Sequence, residues 1–399
     1  MKIKLLFLSV LVLFSMAALV LGKSGLEIDA DYPGGNIVVE RIRGDTAYIH
    51  QDIRDTKGWW FYWNFRVRGA AGRTLTFRFT NRDPIGLRGP AVSTDAGLTW
   101  SWLGRKTVQK TNKGSSFTYT FPGDAREVRF CFSIPYQQSN LQRFLKAHAK
   151  NPHLDVRELC KSRKGRSIER LHLGKLQGEP TYRVLLTCRH HSCEAMASYV
   201  FEGILEATLA DTDDGRWFCK NVEVLAIPFM DKDGVEDGDQ GKNRKPHDHN
   251  RDYVGKSIYP SVATLRKFVP EWSKGRLKVA IDLHSPGIYD KAIYIAGSPH
   301  PAVWQQQCEF SRILETVRTG PIVYKARDNL PFGKSWNVKK TYGSGKSCSR
   351  WSSELEGIRL GTTFEIPYAN IGGRSVTAET ARAFGRDMAR AIRQYLDGI

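Results

Sequence analysis

Beyond Leu21 the chain lacks any apolar run long enough to cross a bilayer, and it contains neither an internal repeat nor a low-complexity tract. What remains is a soluble globular chain, neither disordered nor collagen-like, with apolar content of 41% and charged content of 25%. Cysteine is sparse. The seven cysteines (131, 160, 188, 193, 219, 308 and 348) have neither the dense spacing of a disulfide scaffold nor that of a zinc knuckle. An odd number leaves at least one thiol unpaired unless it links chains, although export would permit one or more bridges. Acidic residues are short: 41 Asp and Glu face 60 Lys and Arg, a net charge of +19. Such a field draws anionic substrates or polymers. The basic residues are dispersed, however, and no nucleic-acid-binding motif appears, so no nucleic acid is expected as a partner.

A length of 399 residues implies two or three structural units. The first 22 residues stand apart. Lys2 and Lys4 precede the apolar run Leu5–Leu21, and Gly22-Lys23-Ser24-Gly25 then turns polar, with no lipobox cysteine. Residues 1–22 are therefore expected to be a signal peptide, which implies a secreted or periplasmic location and no stable membrane insertion after cleavage. The length of the run leaves a retained anchor as the alternative.

Residues 26–135 read as an all-β sandwich. Trp59–Val67 is aromatic and β-branched, Thr74–Thr80 and Phe117–Phe121 alternate, and Val128–Phe132 follows, with Asn81-Arg82-Asp83-Pro84 and Pro122-Gly123-Asp124 as turns. From Ser139 to His148, Leu141, Phe144 and Leu145 share a helical face. The character then changes. Buried-type strands are expected at 183–188, 222–227, 278–283 and 362–366, with helices at 195–209 and 378–396. That alternation predicts an α/β domain over 136–399, a mixed, largely parallel sheet between helices.

In open α/β sheets ligands sit at the carboxyl ends of strands. Four such ends carry charge: His190-His191-Ser192-Cys193-Glu194, Asp231-Lys232-Asp233, Asp282-Leu283-His284 and Phe364-Glu365. Their desolvation calls for compensation, which a divalent cation supplies. His191 and Glu194 lie three residues apart where a strand meets a helix, and His284 offers a third ligand. Two histidines and a glutamate, with water in the fourth position, make a catalytic zinc site. His190 adds a second candidate histidine, although the spacing favours His191.

Taken in order, these motifs resemble the M14 family of zinc carboxypeptidases. His191-x-x-Glu194, Ile227–Val235, Asp248-His249-Asn250-Arg251, Asp282-Leu283-His284 and Thr363-Phe364-Glu365 follow the family's succession. Trp60-Phe61-Tyr62, Phe65-Arg66-Val67 and Ile134-Pro135-Tyr136 narrow the resemblance to the cytosolic carboxypeptidase-like branch, which carries an N-terminal β-sandwich. Ser192-Cys193 departs from that branch's usual Pro-Gly. The resemblance implies one Zn2+ per chain held by His191, Glu194 and His284, with Glu365 as general base and Asp248 orienting His191. It also implies Asn250 and Arg251 as a carboxylate clamp, Arg244 on the developing oxyanion, and Tyr342 as a substrate-binding tyrosine. The expected substrates are C-termini of peptides or proteins. Lys346, Arg350 and the basic charge lean toward acidic ones. The alternatives are an amidase or deacylase acting on cell-wall peptides, and a metal-free binding protein on the same scaffold.

Overall fold

The computed structural model describes residues 25–111 and 114–399; the expected signal segment, 1–22, lies outside them. No helix among the described residues is long and apolar enough to cross a membrane.

The N-terminal strands form two five-stranded sheets. One runs, in spatial order, Glu27–Asp29, Asn64–Arg68, Glu127–Cys131, Ala91–Ser93 and Ser101–Trp102; the other runs Val38–Arg43, Thr46–His50, Thr74–Phe79, Gly114–Thr120 and Val108–Thr111. Alternation explains the packing. In Thr74–Phe79 the buried positions are Leu75, Phe77 and Phe79, and Phe77 lies opposite Phe117. Phe65 and Phe130 meet them from the facing sheet, with ring centroids 5.2 Å and 5.3 Å from Phe77. The expected strand over 59–67 is shorter than its composition suggests: only Asn64 onward pairs in the sheet. Of the preceding aromatics, Trp63 packs into the sandwich core against Phe79 and Phe117, whereas Phe61 reaches the second unit, 5.7 Å from Tyr368, and Trp60 stands 5.0 Å from Lys242 Nζ.

The second unit is built on a seven-stranded mixed sheet of β1 (Leu154–Lys161), β2 (Ser167–Gly174), β3 (Tyr182–Cys188), β4 (Val222–Ile227), β5 (Leu277–His284), β6 (Tyr294–Ile295) and β7 (Leu360–Glu365). Its spatial order is β1-β2-β4-β3-β5-β7-β6. The central four strands are parallel and the edges antiparallel. The basic turn at 161–166 closes the β1–β2 hairpin. The flanking helices are α1 (Gln138–Ala147), α2 (Ala195–Leu209), α3 (Pro260–Ser273), α4 (Pro301–Val317) and α5 (Ala378–Asp397). Successive residues of β3 serve opposite faces. Val184 and Leu186 join the core of α2 and α5, whereas Leu185 joins Val262, Leu265 and Val269 of α3. Burial on both faces is why the strand reads as a continuous apolar run. The sandwich core and the α2/α5 side form a single apolar cluster, so the two units share a core.

Glu223 on β4 ties this sheet to α3. It accepts from His172 Nδ1 (3.0 Å), Arg183 Nε (2.8 Å) and Trp272 Nε1 (2.7 Å). Burial opposes its ionisation, yet these donors bring its pKa down to about 2. A carboxyl depressed in the folded state stabilises fully above its unfolded value, and that contribution fades as pH falls through the folded one. Glu223→Gln should therefore lower the stability at neutral pH by roughly 2 kcal/mol, and the gap should shrink from about pH 4 downward. Denaturant unfolding of both proteins at pH 7 and pH 3 measures it; an equal gap at both would refute the account.

Candidate metal centre

The end of β3 sets the site. Arg189 adopts a left-handed backbone, φ 61°, unusual for a residue with a side chain. Its buried guanidinium holds the turn through Ser192 O (3.1 Å), Tyr136 O (2.8 Å) and Ser198 Oγ (3.1 Å). After this turn His190 faces inward and His191 faces the cavity. Glu194 stands immediately before α2, fully buried. In the β5–β7 register His284 is directly opposite Glu365, so adjacent parallel strands deliver an imidazole and a carboxylate side by side.

His191 Nδ1 lies 3.0 Å from Glu194 Oε1, and His284 Nδ1 lies 2.7 Å from Glu194 Oε2. One ligand atom from each of the three falls within 4.8 Å of the others. The far nitrogens are backed by carboxylates: His191 Nε2 is 3.5 Å from Asp248 Oδ1, and His284 Nε2 is 2.7 Å from Asp282 Oδ2. Such backing orients each ring with Nδ1 toward the shared point, the arrangement in which the far N–H is held by a carboxylate when a metal is bound. A second cluster, His190, Asp282 and His284, also converges. There both ring nitrogens of His190 are already engaged, with Asp282 Oδ1 (2.8 Å) and the Tyr253 hydroxyl (2.7 Å). His190 therefore serves a buried Tyr253–His190–Asp282–His284 chain. The donor set at His191, Glu194 and His284 fits zinc, two nitrogens and a carboxylate around one point. Burial opposes the ionisation of Glu194, but Lys242, His191 and His284 overcome it and hold its pKa well below the carboxylate range.

Glu365 differs. Its Oε2 is buried without a hydrogen-bond partner. Burial pushes its pKa up to about 7, with His284 opposing the rise and Glu194 adding to it. His191, His284, Glu365, Asn250, Arg251 and Tyr342 all line one cavity. Asn250 Oδ1 already accepts from Cys348 N at 2.9 Å, and its Nδ2 lies 3.0 Å from His284 Nε2. Tyr342 is clamped between guanidinium groups, Arg350 3.6 Å and Arg251 4.9 Å from its ring centroid. Arg350 also lines the cavity, with Nη2 buried and unpartnered. Lys346 is spent on Glu354 at 2.7 Å.

Arg244 is not among the residues brought to this cavity. It is held by Asp231 Oδ2 (2.8 Å), Asp239 Oδ2 (2.9 Å) and Asp55 Oδ2 (3.1 Å). Three carboxylates outbid any substrate oxygen for its guanidinium. Sequence reasoning overlooked Lys242, whose Nζ lies 2.6 Å from Glu194 Oε1, and Asp282 behind His284. The Asp-x-His spacing on β5 was a usable signal for Asp282. Nothing local marked Lys242.

No family model matches the chain. Cytosolic carboxypeptidase 2 of Xenopus tropicalis is 28% identical over 416 residues, covering 93% of this chain and 42% of that protein. The chain thus spans less than half of that relative. An uncharacterized protein of Zymomonas mobilis, ZMO1242, is 24% identical over 68% of this chain. Among solved structures, the metallo-carboxypeptidase from Burkholderia cenocepacia superposes with a TM-score of 0.77 at 21% identity, over 94% of this chain and 99% of its own. The chain has the M14 carboxypeptidase fold, in the form of the cytosolic carboxypeptidase-like branch. A second M14-type structure, the Pseudomonas aeruginosa metallo-carboxypeptidase in complex with (2-guanidinoethylmercapto)succinic acid, matches with a TM-score of 0.71 at 20% identity.

The same relatives overturn one expectation. Several are named cytosolic carboxypeptidases, which points to a cytosolic location and not to the secreted or periplasmic one inferred from residues 1–22. An apolar run after two lysines reports hydrophobicity alone, whereas these matches extend through the folded chain. All seven cysteines are free thiols, so the bridges that export would have permitted are not formed.

Proposed function

We propose that this M14-fold chain is a zinc metallocarboxypeptidase that hydrolyses the C-terminal peptide bond of peptides or proteins. Residues 26–135 form its supporting sandwich and 136–399 its catalytic domain. The observation that carries the reading is the convergence of His191 Nδ1, Glu194 and His284 Nδ1 beside the unpartnered carboxylate oxygen of Glu365.

One zinc per chain, held by those three ligands, supplies Lewis-acid polarisation and water activation near neutral pH. Glu365 takes the proton of the attacking water and delivers it to the leaving amine, a role suited to a carboxyl whose pKa burial brings up to about 7. Asp248 and Asp282 fix the orientation of the two imidazoles. Arg251 receives the substrate's terminal carboxylate in its planar fork, with Asn250 and Tyr342 on the same wall. Arg350, with its free Nη2 at the cavity, favours an acidic terminal side chain.

A mass-spectrometric survey of a peptide library with free-acid and amidated C-termini tests this. Zinc-loaded protein should release single C-terminal residues from free acids, acidic ones first. Arg251→Ala should cut kcat/KM on free acids by roughly 10²–10³-fold, in line with losing a buried charge-assisted pair of about 3–4 kcal/mol. The variant should act on blocked peptides much as the parent does. Equal cleavage of blocked and free peptides by the parent would favour the amidase reading.

A further inference from the structure

The cation next to the metal ligands is not the one its sequence position suggests. Lys242 and Arg244 lie on one loop, and the sandwich determines where each points. Asp55 accepts from Gln240 N at 3.0 Å and Gly241 N at 2.8 Å. The Thr56 hydroxyl donates to Lys242 O, and Lys57 N donates to Asn243 O at 3.1 Å. Gly241 adopts φ +76°, and a Cβ there would stand 2.2 Å from Ser192 N. The loop therefore lies directly against the segment carrying His191. Gly238, at φ +73°, makes a similar approach to Gly35 O in the sandwich.

So fixed, the loop turns Arg244 away into its three carboxylates and sends Lys242 inward. The Lys242 side chain is 13% exposed. Its ammonium meets Glu194 Oε1, lies 3.3 Å from Ser285 O and stands 5.0 Å from the Trp60 ring of the sandwich. The indole comes from the sandwich, so that unit contributes a cation–π contact to the ammonium that meets Glu194. An ammonium has three donors, and two are accounted for. Freeing Arg244 would take the ion-pair partner from Asp55 and Asp231, with only Asp239 keeping another in Arg54, whereas Lys242 carries its remaining donor on a flexible four-carbon stem.

Resting on the carboxypeptidase reading, we propose that Lys242, and not Arg244, is the catalytic cation that stabilises the scissile carbonyl oxygen. In the step it serves, a bond forms between the water oxygen and the carbonyl carbon. The carbonyl π pair moves onto oxygen beside the ammonium, and the water's proton passes to Glu365. That pair then returns, the carbon–nitrogen bond breaks, and Glu365 gives its proton to the departing amine. Lys242 exchanges no proton; its charge acts only where negative charge develops.

The test compares the full chain with Lys242→Met and Lys242→Arg on a free-acid peptide. It records kcat and KM separately, zinc content, and zinc affinity of the stripped protein against a chelator. Lys242→Met should keep its zinc and bind it at least as tightly, because a cation competing for Glu194 is gone. Its KM should stay within a few-fold while kcat falls by about 10²–10³-fold. Lys242→Arg should recover at least a tenth of the parental kcat. Should Lys242→Met not fold, Lys242→Gln is read against the same thresholds. A folded, zinc-loaded neutral variant with kcat near the parent's overturns the assignment. So does a fall in zinc affinity that accounts for the whole loss of rate. A zinc-loaded parent inert on every peptide overturns the carboxypeptidase reading, and the role of Lys242 with it.

Discussion

Glu365→Gln is expected to lose roughly 10²–10⁴-fold in kcat while retaining its zinc and its affinity for substrate. The substitution keeps the shape and removes only the capacity to accept a proton. Glu365 sits on β7, 7% exposed, with Oε2 unpartnered, so the variant loses no hydrogen bond at that oxygen. The pH profile gives a second readout. The base must be ionised, so kcat/KM should rise with pH through its pKa. Burial sets that value at about 7, and a nearby dication draws it down. The acid limb should therefore fall at or below pH 7 in the parent, and its Glu365 component should vanish in the variant. Equal turnover by the zinc-loaded variant would remove Glu365 from the mechanism.

His284→Ala should cost both the metal and much of the stability. The imidazole is 1% exposed and stands between Glu194 and Asp282, 2.7 Å from each. Without it two buried carboxylates lose their shared partner. Breaking a buried ion pair in this way costs roughly 3–5 kcal/mol. Elemental analysis should find the zinc content collapsed, and calorimetry should find a lowered Tm even in chelator, where zinc no longer contributes. The metal-free comparison matters because binding a ligand stabilises by mass action alone. A variant that keeps its zinc and its Tm would show that the three ligands do not act together.

Most of the architecture was legible because burial imposes periodicity. A central strand such as β3 must be apolar on both faces, and a sandwich strand such as Thr74–Phe79 on one. The strand and helix expectations consequently fell within a few residues of the observed elements. Helices α3 and α4, each opened by a proline, and the β1–β2 hairpin carried weaker patterns and were not anticipated. The aromatic run at 59–63 had the composition of a strand. Phe61 and Trp60 instead serve the junction between units, a demand that strand propensity does not encode.

By itself, then, the chain's order of residues determined which chemical groups stand at the ends of β3, β5 and β7, since strand ends follow from local pattern and the parallel register sets them abreast. Tertiary structure alone decided which groups face the cavity. The left-handed turn at Arg189 separates His191 from His190, and Asp55, 189 residues away from Arg244 in sequence, draws that arginine off and leaves Lys242 at Glu194. Pairings of buried charge depend on distances through space, and these distances exist only once the sandwich has closed on the loop.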